Sequence, residues 1–443
     1  MHMKRKIYDD LLEWKKNSKG RNALLIEGAR RIGKSFIVKE FAKKEYKSYI
    51  IIDFSNPDQR IMNLFVNNSS NIPLLLKKLS LLTDTKLYER KSLIVFDEIQ
   101  FCPKARQAIK HLVADGKYDY IETGSLISVR ENVKDILIPS EERSIQMYPM
   151  DFEEFCWAMG DTITVPNIRN HFDSLEQMGK DIHSITMERF RTYMLVGGMP
   201  QAVAAYAENK SFSDAEEVKR DILSLYSKDI HKKGGKTVPF YKNIPSQLNK
   251  HDRRFNLSDA DGNGRMSSFD ETLFWLSDSM IVNLCYNSTV PDVTLQMNTE
   301  RMTVKCYMGD TGLLITMAID SGEVTENEVY LSLLDDKLHV NEGMFAENAV
   351  AQILRCNNHK LFFHSFYDRE QNNNKYEVDF LIRDKKKICP IEVKSGIASK
   401  HASLDRYMKK YSKTLGQAYV LCTGDLRKEG NILYLPIYMA ICL

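Results

Sequence analysis

GARRIGKS, at residues 28–35, matches the phosphate-binding pattern G-x-x-x-x-G-K-[ST] at every fixed position. The short apolar run at residues 23–26 precedes it and predicts a buried strand. Apolar residues at helical spacing follow it over residues 36–42. Strand, loop and helix in this order form the context that the pattern requires. The motif therefore predicts a nucleotide-binding α/β domain near the N-terminus.

The loop has the chemistry that a polyphosphate needs. Glycine lets the backbone N–H groups approach the phosphates, and the N-terminus of the following helix adds its dipole. We expect Lys34 to contact the β- and γ-phosphates and the Ser35 hydroxyl to hold Mg²⁺. The loop alone predicts binding of ATP or GTP. The predicted nucleotide contacts are Gly28, Ala29, Arg30, Arg31, Ile32, Gly33, Lys34 and Ser35.

A second motif predicts hydrolysis. Four apolar residues at 93–96 predict a buried strand that ends in Asp97 and Glu98. Asp97 would hold Mg²⁺ through water, and Glu98 would orient and polarise the attacking water. The next predicted strand ends in hydroxyl residues, so Thr123 and Ser125 are both candidates for contact with the γ-phosphate. Thr123 completes the predicted nucleotide contacts. A simple Gly-centred turn would explain either Thr123 or Ser125, taken alone, nearly as well.

Strand signals alternate with helical signals over residues 1–160, which predicts a parallel α/β sheet of the P-loop NTPase class. The nucleotide then belongs at the carboxyl ends of the strands. The predicted strands are residues 23–26, 49–54, 92–96, 120–123 and 144–148, and the predicted helices include 73–82 and 104–114.

Several segments carry a family resemblance, namely GARRIGKS, IVFDEIQ, ETGS, ERSIQMYPMDFEEF, GGMP, IPSQLNK and YMGDTGLL. They resemble the bacterial and archaeal AAA-type ATPases that have a C-terminal domain of unknown function (type 4143). The resemblance implies a helical lid with a winged-helix-type element over residues 161–335. Within that range, residues 161–185 are expected to be a polar connector. Glu142 replaces the glycine of the family's Gly-Arg pair, so a surface position is the default interpretation of Arg143, and contact with nucleotide is the alternative.

Residues 336–443 contain a third group of charged residues. Asp379 lies on a strand predicted over residues 377–382, and Glu392 lies on the next, predicted over residues 388–393, with Lys394 directly after it. Side chains at i and i+2 share one face of a strand, so Glu392 and Lys394 point together. A turn over residues 384–387 predicts an antiparallel hairpin, across which Asp379 can join them. Two carboxylates beside a lysine suit a divalent metal ion that hydrolyses phosphodiesters.

This arrangement resembles the PD-(D/E)xK nuclease superfamily, with Glu347 as the carboxylate on a helix. The resemblance implies a small α/β nuclease-like domain in which Asp379, Glu392 and Lys394 are catalytic. It implies Glu347, Asp379 and Glu392 as the metal ligands. An exposed strand with cross-strand salt bridges would have the same residues, and the fold does not imply cleavage.

Two functions remain open for the whole chain. One is an ATPase whose last domain binds or cleaves DNA or RNA under the control of ATP. The other is an ATP-dependent signalling or regulatory switch whose last domain only recognises a partner. The oligomeric state is not predicted by any of these patterns.

DADGNG at residues 259–264 reproduces the start of an EF-hand calcium loop. Position twelve is Asp270 rather than the bidentate glutamate, and the chain has no second copy of the loop. A polar turn before a helix near residue 268 is therefore the preferred interpretation.

Composition narrows the class of protein. The 443 residues suggest about three domains. A net charge of +3 gives no overall basic footprint for nucleic acid. The eight cysteines include no C-x-x-C pair and suit a reducing, cytoplasmic compartment. The charged N-terminus does not predict a signal peptide, and no stretch reaches the about 18 apolar residues of a membrane span, so no membrane partner is expected.

Overall fold

The structure is a computed structural model that describes residues 3–68, 71–125, 139–233, 237–250, 253–254, 266–319, 327–334, 342–368, 374–397 and 401–443. It divides into two compact units. The first unit comprises His2–Tyr148 with Asp278–Met280, and the second comprises Pro149–Ser277 with Ile281–Leu443.

A five-stranded sheet forms the centre of the first unit, with the strand order β2-β3-β4-β1-β5. All neighbouring strands are parallel, which confirms the predicted P-loop NTPase-like α/β class. Strand β4 lies between β1 and β3, so the carboxyl ends of the strands that carry the three predicted motifs are adjacent. The strands are β1 Ala23–Glu27, β2 Ser48–Asp53, β3 Ser92–Asp97, β4 Asp119–Gly124 and β5 Glu142–Gln146.

Helices pack on this sheet through apolar faces. Helix Pro103–Asp115 begins with proline at its first position, where the missing N–H costs nothing, and ends at Gly116, whose φ of 69° suits glycine. Phe54, Phe65 and Phe96 contact one another in the core. The other helices of this unit are Ile7–Ser18, Lys34–Glu45, Gln59–Asn68 and Ile72–Leu82, with a 3-10 turn at Ile99–Phe101.

The second unit begins with helices and ends with two sheets, in agreement with the predicted order of helical and α/β regions. Its helices are Phe152–Ala158, Thr164–Ser174, Lys180–Val196, Pro200–Asn209, Phe212–Lys233, Thr237–Lys242, Ile244–Leu248, Met266–Asp278, Thr311–Ala318, Asn327–Leu334, Glu342–Cys356 and Ala402–Lys410. Its strands are β6 Val282–Ser288, β7 Thr299–Met308, β8 Phe362–Asp368, β9 Asn374–Val378, β10 Phe380–Asp384, β11 Lys387–Val393, β12 Ala418–Cys422, β13 Arg427–Glu429 and β14 Ile432–Pro436.

The two sheets of the second unit have the strand orders β7-β6-β8-β9 and β10-β11-β12-β14-β13. The first is antiparallel except where β6 meets β8. The second is mixed, with β12 parallel to both β11 and β14. The chain passes from the first sheet to the second at Asp379, between β9 and β10. The single strand predicted over residues 377–382 is therefore wrong, because this bend divides it.

The prediction of a polar connector over residues 161–185 is also wrong. This part of the chain contains helix Thr164–Ser174 and the start of helix Lys180–Val196. Ile163, Ile182 and Ile185 are exposed there, so the apolar residues do not follow the one-sided period that reveals a helix. The boundaries after residues 160 and 335 and the winged-helix-type element remain predictions.

Two further predictions concern particular segments. The DADGNG segment lies outside the described residues, and the helix expected after it begins at Met266. Among the helices of the described ranges, none combines the length and the apolar character that crossing a bilayer requires.

Candidate functional site

The phosphate loop connects β1 to helix Lys34–Glu45, and its backbone follows the pattern's glycines. Gly33 has a φ of 92°, which glycine adopts without a Cβ penalty. A Cβ at Gly28 would overlap Cδ1 of Ile32 and would lie 2.5 Å from the carbonyl oxygen of Met147. Gly28 has no room for a side chain, and the φ of Gly33 disfavours any residue other than glycine, so the fold of the loop requires both pattern glycines.

The ammonium group of Lys34 lies inside the loop. Its Nζ donates hydrogen bonds of 2.9 Å to the carbonyl oxygens of Gly28 and Ala29. Burial lowers the pKa of Lys34 to about 8, and the nearby positive charge of Arg30 acts in the same direction. Phosphate oxygens would be stronger partners for this ammonium than the two carbonyls. Arg31, in contrast, is exposed.

Arg5 holds the loop from the N-terminal segment. Its side chain is buried, and it donates hydrogen bonds of 2.9 Å to the carbonyl of Ile32 and 2.7 Å to the carbonyl of Tyr148. It thereby links the phosphate loop to the chain beyond β5. Sequence reasoning missed this residue, since one arginine in a charged N-terminal segment carries no distinguishing pattern.

The carboxylate of Asp97 lies where the ends of three strands meet. Its Oδ1 accepts a hydrogen bond of 2.9 Å from Ser35 Oγ and another from Thr123 Oγ1. The N–H of Glu98 donates to Thr123 Oγ1 over 3.3 Å. Mg²⁺ prefers oxygen ligands of this kind, so the Ser35 hydroxyl and the Asp97 carboxylate fit the predicted metal. Thr123 thus connects the two acidic residues, whereas the sequence had left it equivalent to Ser125.

Glu98 has an unusual backbone for a residue other than glycine, with a φ of 54°. Such a conformation costs on the order of 1 kcal/mol and is found where the surroundings impose it. The side-chain amide of Gln100 donates a hydrogen bond to Oε2 of Glu98 and orients the carboxylate. Gln100 is buried, and sequence reasoning did not identify it.

Glu142, which stands where the resembling family has glycine, forms a buried ion pair in this structure. The guanidinium of the buried Arg106 donates to both carboxylate oxygens of Glu142 over 2.8 and 3.2 Å. The guanidinium also lies 3.8 Å from Glu122, whose pKa is raised well above its ordinary value by burial and then by the charge of Glu142. Glu142 therefore fixes β5 to helix Pro103–Asp115, while Arg143 is exposed.

The second unit brings together the four residues predicted near the C-terminus. The β10–β11 hairpin pairs Asp384 with Lys387, as predicted. Lys394 Nζ donates to Oε1 of Glu392 over 2.7 Å, and Oδ2 of Asp379 accepts from the N–H of Val393 over 2.9 Å. Burial, and then the charge of Asp379, raises the pKa of Glu392 to about 7.

A lysine that the sequence did not point to lies among these carboxylates. Lys305, on β7, places its Nζ 3.1 Å from Glu347, 2.9 Å from Glu377 and 3.5 Å from Asp379. Tyr307, on the same strand, donates a hydrogen bond to the fully buried Glu347. The local signal was one charged residue among the apolar and aromatic residues at 304–308, the buried end of β7.

Electrostatics keep this lysine charged. Burial by itself would lower the pKa of Lys305, but the negative charges of Glu377 and Asp379 raise it well above the ordinary value. Arg253 forms an ion pair with Glu347, and Arg254 lies 3.7 Å from Glu377. Among the residues that the structure describes, no three His, Cys, Asp or Glu side chains are grouped so that they could hold a metal ion.

Three protein-family models match separate parts of the chain. The model described as an AAA domain matches residues 20–156. Two models described as domains of unknown function, DUF8612 and DUF4143, match residues 187–323 and 342–439. The first match agrees with the parallel sheet and its loop, so the N-terminal region has an AAA-type, P-loop ATPase-like fold. The third match agrees with the C-terminal domain of unknown function that the family resemblance implied, but its description does not mention a nuclease.

Solved structures similar to the chain include a Walker-type ATPase of Pyrococcus abyssi, at 15% identity over 72% of this chain and 96% of that one, with a TM-score of 0.44. A signal transduction ATPase with a tetratricopeptide repeat sensor, from Pyrococcus horikoshii, is 13% identical over 80% of this chain and 48% of its own, with a TM-score of 0.28. Such distant likenesses carry no functional argument. No curated protein matched the chain.

Proposed function

We propose that this protein binds ATP with Mg²⁺ at the phosphate loop and hydrolyses it. The observation that carries the proposal is the shared contact at Asp97, whose Oδ1 accepts hydrogen bonds from both Ser35 and Thr123. This contact joins the loop, the acidic strand end and the hydroxyl strand end at one place. Bound Mg²⁺ would neutralise charge on the phosphates.

The residues of the site have separate roles in binding ATP and in hydrolysing it. Lys34 would exchange its two carbonyl partners for the β- and γ-phosphates, and the loop's N–H groups would bind the remaining oxygens. Glu98, held by Gln100, would accept the hydrogen bond of the attacking water and orient it. Thr123 keeps Asp97 and Glu98 in fixed relation.

The test compares ATP binding and ATP hydrolysis in the wild type, Lys34→Ala and Glu98→Gln. We expect Lys34→Ala to lose ATP binding and Glu98→Gln to bind ATP while hydrolysing it about 10²- to 10⁴-fold more slowly. Lys39→Ala, an exposed lysine on the same helix, is the matched control and should behave as wild type. Equal hydrolysis by the wild type and Glu98→Gln would refute the role of Glu98.

For the C-terminal domain we propose recognition of a partner, with DNA or RNA as one class, rather than cleavage. The ion pairs of Glu347, Asp379 and Glu392 with lysines and an arginine support this form of the hypothesis. A cytoplasmic location remains a prediction.

Partner recognition and nucleic-acid cleavage predict different results in one experiment. The protein is incubated with DNA and RNA substrates and Mg²⁺ or Mn²⁺, with and without ATP, beside Asp379→Ala. We expect the same background in both proteins. Cleavage by the wild type that Asp379→Ala loses would support the ATP-controlled nuclease instead.

A further inference from the structure

The ammonium group of Lys305 occupies the centre of the C-terminal cluster of carboxylates. Its three carboxylate neighbours, Glu347, Glu377 and Asp379, lie 2.9–3.5 Å from Nζ. They come from helix Glu342–Cys356, from β9 and from the bend after β9. The side chain of Lys305 is 1% exposed, so its ammonium group is neutralised by these carboxylates rather than by water.

A divalent metal would need the same oxygens. Magnesium and manganese sites use carboxylates whose charge is left for the metal to neutralise. Here each carboxylate already has a cationic partner: Glu347 has Lys305 and Arg253, Glu377 has Lys305 and Arg254, Asp379 has Lys305, and Glu392 has Lys394. Four carboxylates face four cationic side chains, so none of these carboxylates is left for a metal alone to neutralise.

Entry of a metal would also require moving a buried group. Lys305 lies within β7, next to the buried residues Val304 and Cys306. A metal bound beside the ammonium would bring two like charges together at a few ångströms inside the protein, which is strongly unfavourable. The nuclease-type metal therefore does not fit the residues as they are arranged.

We propose that Lys305 replaces the metal ion, so that the C-terminal domain is built around an internal cation and binds no divalent metal at Glu347, Asp379 and Glu392. The ammonium links β7 of the four-stranded sheet to helix Glu342–Cys356 and to the start of the five-stranded sheet. A tethered cation preserves the shape of the acidic centre while removing the chemistry that a metal would supply. This inference deepens the proposal of partner recognition and does not depend on ATP hydrolysis.

The first experiment titrates nucleotide-free wild-type protein with Mn²⁺ and counts bound metal by electron paramagnetic resonance. Asp379→Asn is titrated in parallel, since it removes one carboxylate charge with little change in shape. We expect the two titrations to coincide. A stoichiometric Mn²⁺ site in the wild type that Asp379→Asn loses would overturn the proposal, and this result would leave the ATPase proposal untouched.

The second experiment asks whether removal of the internal cation creates a metal site. Lys305→Met keeps most of the side-chain volume, removes one positive charge from the cluster and leaves Asp379 without the ammonium that now faces it. We expect Mn²⁺ or Ca²⁺ to raise the Tm of Lys305→Met by several degrees, because a ligand that binds only the folded state stabilises it. The wild type and Lys386→Met, a control at an exposed lysine of the same unit, should show no such rise.

The double variant Lys305→Met/Asp379→Asn should lose the Tm response, which would assign the new metal to this cluster. A folded Lys305→Met, checked by circular dichroism, whose Tm does not respond to either metal would contradict the proposal. If Lys305→Met does not fold, the wild-type titration with Mn²⁺ decides the question alone.

Discussion

The hydroxyl of Ser35 donates a hydrogen bond of 2.9 Å to Oδ1 of Asp97, a residue 62 positions further along the chain. The parallel sheet makes this contact possible, because β1 and β3 both end at the same edge and only β4 separates them. Oxygen atoms of a hydroxyl and a carboxylate at this distance suit Mg²⁺.

Asp97→Asn should lower kcat for ATP hydrolysis by about a hundredfold, because it removes the charge that supports the metal but keeps the shape. The measurement is the rate of ATP hydrolysis as a function of Mg²⁺ concentration, and half-saturation should move to higher Mg²⁺. Asp53→Asn is the matched control, since Asp53 pairs with Asp97 in the sheet register but is exposed and accepts hydrogen bonds from Ser55. An unchanged Mg²⁺ dependence in Asp97→Asn would contradict the assignment.

Thr123→Val should lower kcat by about tenfold with a smaller change in KM, because hydrogen bonds to charged groups contribute about 1.5–3 kcal/mol. The hydroxyl joins Asp97 to the backbone of Glu98, so its loss loosens the catalytic geometry rather than the grip on ATP. Steady-state kinetics separate these two effects. Thr123→Ser retains a hydroxyl and should recover most of the rate; failure of this rescue would argue against the hydrogen bonds as the cause.

Arg5→Ala should raise KM for ATP by about tenfold, since small displacements of binding groups have effects of this size or larger. The guanidinium holds the Ile32 carbonyl, and without it the phosphate loop loses one of its fixed points. Direct ATP binding by calorimetry provides the check. Arg21→Ala, at an exposed arginine of the same unit, should leave the affinity unchanged. Equal affinities in Arg5→Ala and wild type would remove Arg5 from the site.

ATP affinity should fall as the pH rises through about 8, where Lys34 of the nucleotide-free protein loses its proton. The protonated ammonium is the form that attracts phosphate, so binding below this pH is strong and binding above it must first recover a proton. The measurement is the Kd for ATP between pH 7 and pH 9.5. Lys34→Met has no group that titrates there and should bind weakly at every pH. A flat profile in the wild type would contradict the role of Lys34 or its lowered pKa.

Arg106→Met should destabilise the first unit by about 3–5 kcal/mol, the usual cost of leaving one partner of a buried ion pair alone. Glu142 would keep its charge without the guanidinium that now donates to both of its oxygens. Urea denaturation provides the measurement. Lys104→Met, at an exposed lysine of the same helix, should change the free energy of unfolding far less. A similar stability of the two variants would show that the pair contributes little.

The nucleotide site could be predicted in outline because its signals are local. GARRIGKS is one continuous loop, and Asp97 and Glu98 directly follow an apolar strand. The partners that orient these groups could not be predicted, since Arg5 and Gln100 reach the site only after the chain has folded. The choice between Thr123 and Ser125 likewise needed the contact of one hydroxyl with Asp97.

The amino-acid sequence alone was sufficient for the phosphate loop, the parallel sheet and the β10–β11 hairpin, which begins directly after Asp379 and carries Glu392. Each depends on short-range spacing or on the period of buried residues, which physical chemistry converts directly into local structure. Only the tertiary contacts revealed which cationic side chains face the C-terminal acidic residues. Lys305 lies 74 positions before Asp379. A pattern within one strand does not predict which charged residue of another element will face a given side chain. Folding places the ammonium group of Lys305 among the carboxylates. Acidic residues whose pattern predicts a metal site in the sequence therefore surround a lysine in the structure.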